Sequence, residues 1–134
     1  MILSGLKNYT NAGLLFLRIG IGVMMIFHGY PKMLGGPEKW EKLGLAMSYI
    51  GINFYPIVWG FMAAFAETVG GLFIIIGFAF RPSALLLFFT MLVASIMHIK
   101  NGDGIGEASH AIELAAVFFG LLFIGAGKFS VDKK

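Results

Sequence analysis

The sequence contains no cysteine. That excludes a disulfide or thiol relay carried by this chain, and any thiolate-ligated metal centre; it says nothing about redox compartment. Charge is also scarce. Only 13% of the 134 residues are charged, seven Asp and Glu against ten Lys and Arg, where a soluble domain has about 25%. The net charge of +3 is too small and too scattered for a nucleic-acid surface, so the lysines read as residues that set membrane orientation. What the chain has in quantity is apolar: 58% hydrophobic residues, fourteen Phe and nineteen Gly. Aromatics and glycine are frequent in membrane spans.

Four apolar runs stand out: AGLLFLRIGIGVMMIFHGY at 12–30, PIVWGFMAAFAETVGGLFIIIGFA at 56–79, SALLLFFTMLVASIMHI at 83–99 and SHAIELAAVFFGLLFIGAG at 109–127. Each is near the roughly 20 residues that cross a bilayer, the third at the short end. Backbone polar groups must be paired internally in lipid, so these runs predict helices. A signal peptide is the other reading of the first run; Arg18 inside its core and the lack of a clear small-x-small cleavage site speak against it. The predicted fold is an all-α membrane protein, a four-helix antiparallel bundle in one unit over 1–134.

Four spans put both termini on one side. That side carries Lys7, Arg81, Lys128, Lys133 and Lys134; the other carries Lys32, Lys39, Lys42 and Lys100, offset by Glu38, Glu41, Asp103 and Glu107. Five basic residues against four favour cytoplasmic termini. In the long first connection, PEKWEKLGLAMSYI at 37–50 opens with Pro37 and repeats Trp40, Leu43, Met47 and Ile50 at helical spacing. It predicts a short interfacial helix, or a lid packed on the helix ends. RPS at 81–83 reads as a tight turn, with Pro82 opening the third span. NGDGIGE at 101–107 has the wrong spacing for a calcium loop and reads as a flexible turn.

Ionisable groups inside a membrane are costly and usually face partners. Here they are Arg18, His28, Glu67, His98, His110 and Glu113. Depths counted from the run ends place Arg18 and Glu67 close enough to form an intramembrane ion pair. That pair could specify helix packing or handle a ligand or proton. A shallower layer holds His28, His98, His110 and Glu113, with Lys32 at its rim. It could be interfacial histidines bonding water, a ligand site for a redox-active headgroup, or a metal site, although no diagnostic metal motif is present. Small-residue stripes mark packing seams: Arg18, Gly22, Met25, Gly29 in span one; Gly60, Ala64, Glu67, Gly71 in span two; Met91, Ala94, Ser95, His98 in span three; His110, Glu113, Ala116, Gly120 in span four.

LLFLRIGIGVMMIFHGYPKM, AETVGGLFIIIGFAFRPSALLL, MLVASIMHI and HAIELAAVFFGLLFIGAGKFSVD, in this order and spacing, resemble the DoxX family of small four-helix membrane proteins over almost the whole chain. The positions matching the family's polar pattern are Arg18, His28, Gly29, Lys32, Glu67, Gly70, Gly71, Arg81, His98 and Glu113. The resemblance implies a bacterial or archaeal inner membrane and an oxidoreductase role. A related branch supplies membrane subunits of thiosulfate:quinone oxidoreductase, and another member is associated with thiol-redox and superoxide-detoxifying partners. The absence of cysteine argues against direct thiol exchange by this chain.

Three functions are open at this point. In a quinone-linked redox subunit, His28, His98 and Glu113 are the candidate catalytic groups and a soluble partner supplies electrons. No covalently bound cofactor is expected, and haem lacks paired histidines on one span. In a non-catalytic scaffold, the polar layers hold the bundle and a soluble partner docks on it. In a small-molecule or proton carrier, an inverted repeat or broken helix would be expected, and neither is evident. Lipid, a second copy of the chain and a soluble redox protein are the expected partners, and nucleic acid is not.

Overall fold

The structure, a computed structural model, describes residues 1–133. It has four helices long and apolar enough to cross a membrane: Ser4–Leu34, Pro56–Ile76, Phe80–Lys100 and Gly104–Ile124. No strand occurs among the described residues. The first span is a 3-10 turn, Ser4–Tyr9, running into α1, Thr10–Leu34. A break at Gly35–Gly36, where Gly36 takes φ +80°, leads into α2, Gly36–Gly44, and a 3-10 segment, Leu45–Ile50. Span two is α3, Pro56–Phe65, a π turn at Ala66–Gly70, and α4, Gly71–Ile76. Spans three and four are α5, Phe80–Lys100, and α6, Gly104–Ile124.

Several boundaries differ from the sequence reading. α1 runs past the apolar 12–30 segment at both ends and carries Pro31 in its last turns. The second turn is Gly77–Ala79; residues 80–82 already belong to α5, and Pro82 sits in the first turn, where no backbone N–H is needed. α6 starts at Gly104, five residues before the fourth apolar run. The expected helix at 37–50 exists but is split, and it does not lie free on the bundle. It runs antiparallel to α3 with backbones in contact. A Cβ on Gly44 would lie 1.6 Å from the Pro56 carbonyl oxygen, and one on Gly60 1.6 Å from that of Trp40. No side chain larger than hydrogen fits at either place.

α1 packs on span two, span two on α5, and α5 along α6; α1 and α6 touch each other little. Van der Waals fit, not hydrophobicity, holds helices together in lipid, so close approach matters. The seams of spans one and two supply it. A Cβ on Gly22 would lie 2.6 Å from the Gly71 carbonyl oxygen, and one on Gly29 would lie 2.6 Å from the Glu67 Cβ. Met25, Ile74, Phe80, Leu87, Phe118 and Leu121 fill the core, while Phe16, Phe27, Phe65, Phe89 and Phe123 clad the outside.

The end of the bundle that carries both termini is tied by hydrogen bonds the sequence did not announce. Arg18, 1% exposed, donates from Nε to the Ile74 carbonyl at 3.0 Å and from Nη2 to Ile75 at 2.6 Å. Its Nη1 donates to Ala126 at 2.9 Å and Phe129 at 2.8 Å. Ile74 and Ile75 close α4, and the other two lie just past α6. Carbonyls at helix C-termini lack intrahelical partners and favour a cation. Asp132 makes the matching contact at a helix start: its carboxylate accepts from the backbone N–H of Ala79 at 3.1 Å and Phe80 at 2.7 Å, where α5 begins.

Candidate functional site

The expected Arg18–Glu67 pair does not form. Gly22 packs at the level of Gly71, and Gly29 at the level of Glu67. Eleven residues of helix, about 16 Å of rise, therefore separate Arg18 from the level of Glu67. Depths counted from the ends of apolar runs missed this, because α1 begins before its run does. Glu67 lies in the π turn, 4% exposed, and takes Lys32 instead: Nζ stands 3.0 Å from Oε1 and 2.9 Å from Oε2. A π turn is an uncommon distortion that often marks functional places in helices. Lys32 sits two residues before the end of α1, and the Trp40 indole N–H caps its carbonyl at 3.0 Å across the Gly35–Gly36 break.

This ion pair opens on a cavity of about 430 Å³ between α2 with its 3-10 continuation, α3 and α5. That is within the range of small-molecule sites, roughly 300–1,000 Å³. Leu86, Phe89, Val93 and Met97 line it as one stripe along α5, about 16 Å of helix. Thr90 and His98 lie on the same wall, and Trp59, Met62 and Ala63 of α3 face them. The Trp59 indole N–H is buried with no hydrogen-bond partner among the described residues. Such orphan donors are uncommon and call for an explanation. Met47 and Leu43 cover the cavity from the connection, which is tied to the end of α5 by Lys100 Nζ on the Tyr49 carbonyl and the Tyr49 hydroxyl on Asn101 Oδ1, each 2.9 Å.

His98 Nδ1 is 2.9 Å from Asp103 Oδ2 in the turn after α5. Hydrogen bonds from His98, first, and from Asn101 hold the Asp103 carboxyl below the usual aspartate range. With its proton on Nδ1 toward Asp103, the His98 ring keeps Nε2 as an acceptor. The reading of NGDGIGE as a plain flexible turn therefore left out a contact that orients a residue of the cavity.

The other expected members lie elsewhere. His28 on α1 and His110 on α6 meet ring to ring, centroids 4.9 Å apart, and both are exposed on the protein surface. Glu113, one turn from His110, is exposed and forms no ion pair among the described residues. His28, His98 and Glu113 thus do not converge on one cavity, and Lys32, expected at the rim, is half of the central ion pair. The seam drawn through His110, Glu113, Ala116 and Gly120 is the outer side of α6; its packed side is Ala108, Ala111, Ala115, Phe118 and Leu121. Among the described residues no group of three His, Asp or Glu side chains is arranged to hold a metal ion. Trp59 and Thr90 were missed as site residues. Their signal was present: each lies about two helical turns from a polar residue already singled out, Trp59 before Glu67 and Thr90 before His98.

Four apolar helices, with an ion pair between the first two that opens on a largely apolar groove, define an all-α, multi-pass membrane protein. The chain belongs to the DoxX family, whose model matches residues 13–99. It is similar to the inner membrane protein YphA of Escherichia coli (strain K12), 30% identical over 132 residues that cover 90% of this chain and 89% of that one. No solved structure matches it. The relative and the four spans together make this a multi-pass protein of the inner membrane.

Proposed function

We propose that the chain is the membrane subunit of a quinone-linked redox system, with the quinone headgroup in the Lys32–Glu67 cavity and its isoprenoid tail along the α5 stripe. The observation that carries this reading is the Lys32–Glu67 pair, its carboxylate buried and its lysine half-buried, opening on a groove whose α5 wall is apolar for about 16 Å except at Thr90. A polar head and a long apolar wall fit an amphiphile and not a water-soluble metabolite. The orphan Trp59 N–H is a ready donor for a carbonyl oxygen. A quinone supplies carriage of two electrons and two protons between membrane partners; the electrons come from a soluble donor protein. The chain's own residues bind and move protons. The Lys32 ammonium donates to a carbonyl oxygen at the headgroup. The Glu67 carboxylate accepts a proton from the hydroxyl of a hydroquinone as it is oxidised, and returns one to that oxygen as a quinone is reduced. His98, held by Asp103, accepts or returns a proton through Nε2 toward the loop end. With the termini in the cytoplasm, as the basic residues favour, this end faces away from the cytoplasm.

The test is extraction of bound lipid from the purified protein, followed by quantification of quinone. Wild type should carry quinone near one per chain. Val93→Trp fills the groove without touching the ion pair, and should lose it tenfold or more with thermal stability unchanged. Wild type without quinone, but with a stoichiometric soluble protein, would establish the scaffold reading instead.

A further inference from the structure

We infer that the outer face of α6, with Glu113 at its centre and the His28–His110 pair beside it, is the surface on which a second copy of this chain docks. The inference does not rest on the quinone reading. Glu113 lies nine residues from the start of α6 and eleven from its end, about 14 and 16 Å, and so near the middle of a helix long and apolar enough to cross a membrane. It is exposed there and has no ionic partner among the described residues. A carboxylate in that position is costly in lipid, and intramembrane ionisable groups nearly always face a partner or a wet cavity.

The face is shaped for helix contact. Ala116 and Gly120 follow Glu113 at helical spacing, and Gly106 precedes it. A Cβ on Gly106 or Gly120 would meet nothing within 4 Å. The chain's own packing therefore does not require glycine at either place, and a second helix could approach closely at both. The face is also complementary to itself. It carries an acid, Glu113, and two bases, His28 and His110, whose rings are 4.9 Å apart. His110 is one turn of α6 from Glu113, about 4.5 Å of rise. Two copies in the same membrane orientation, related by a two-fold axis along the bilayer normal, meet at equal depths. Each Glu113 then comes within side-chain reach of the imidazoles of the second copy. A two-fold contact makes the same pairing twice. No such complementarity exists toward lipid tails.

The absence of cysteine makes the test clean. Ala116→Cys and Gly120→Cys are introduced singly, and native membranes are treated with a mild oxidant. Both should give a disulfide-linked dimer of the chain. Leu92→Cys, exposed on α5, should give none. In bilayers, energy transfer between labelled copies should show that Glu113→Leu lowers the association constant about tenfold, while Glu113→Gln, which still hydrogen-bonds, loses less. The inference is overturned if cross-linking at 116 and 120 does not exceed that at 92. It is equally overturned if the cross-linked product contains a different protein, or if Glu113→Leu leaves association unchanged.

Discussion

Replacing Arg18 by Lys keeps the charge and removes the fork. The guanidinium reaches four backbone carbonyls in two directions, Ile74 and Ile75 at the end of α4, Ala126 and Phe129 beyond α6, at 2.6 to 3.0 Å. An ammonium is a point donor on a shorter stem and can hold one side of that set. Two charge-assisted hydrogen bonds are then lost, each worth about 1.5–3 kcal/mol. Some recovery through water at the bundle end brings the expected loss to about 3 kcal/mol for Arg18→Lys. Arg18→Met strands all four carbonyls and should cost more. The assay is reversible unfolding in mixed micelles, followed by circular dichroism. Arg81→Met is the control: Arg81 is exposed and donates once, to the Leu122 carbonyl at 2.8 Å, and its loss should cost about 1 kcal/mol or less. An Arg18→Met as mild as Arg81→Met would mean that the four carbonyl contacts do not hold the bundle end. The same unfolding data distinguish carbonyl contacts at Arg18 from an Arg18–Glu67 ion pair. Groups this far apart should add to within about 0.5 kcal/mol in the Arg18→Met, Glu67→Gln double mutant, and a large coupling would restore the pair.

Lys32 and Glu67, in contact, should not add: Glu67→Gln alone strands a cation, so Lys32→Met in that background should cost less than in wild type, by about 1 kcal/mol or more in the same unfolding assay. Gly60→Ala puts a methyl where the Trp40 carbonyl stands; α2 should come off α3, seen as faster tryptic cleavage at the exposed Lys39 and Lys42, and unchanged cleavage would contradict the backbone contact. Asp103 has its carboxyl lowered by its hydrogen bond to His98, so the stabilisation it adds is present above the ordinary aspartate pKa and is lost as pH falls through the lowered one. The stability difference between wild type and Asp103→Asn should therefore shrink below about pH 4; a difference that persists unchanged through that range would contradict the contact.

The spans and two of the seams were readable because membrane helices leave plain marks. Gly22 and Gly29 in span one, and Glu67 and Gly71 in span two, recur at helical spacing, and all are buried where the two helices meet. Span four defeats the same rule. Small residues occur on both of its sides, Ala108, Ala111 and Ala115 on one and Ala116 and Gly120 on the other, and spacing alone does not say which side meets its own chain. The polar partners were less readable still. Charge complementarity nominated Glu67 for Arg18, yet Arg18 takes backbone carbonyls, which every residue has and no sequence marks. Lys32 was visible but was placed by its distance from the run end, and that count ignores that α1 continues to Leu34. The approach of α2 to α3 is written in Gly44 and Gly60, but only the contact shows why they are glycine.

A quinone in the proposed site beside Lys32 and Glu67 would stand within contact of an indole. The chain has two tryptophans, Trp40 and Trp59, and Trp59 lines the cavity. In Trp40→Phe it is the sole indole, and a quinone bound within contact of it should quench its fluorescence. A short-chain ubiquinone analogue titrated into this variant in nanodiscs should quench saturably, and Val93→Phe in the same background, which narrows the groove and keeps Trp59 as the sole indole, should lose that saturable component. Quenching that rises linearly with quinone in the lipid, with no saturation and no difference from free tryptophan octyl ester in the same nanodiscs, would contradict the proposed site.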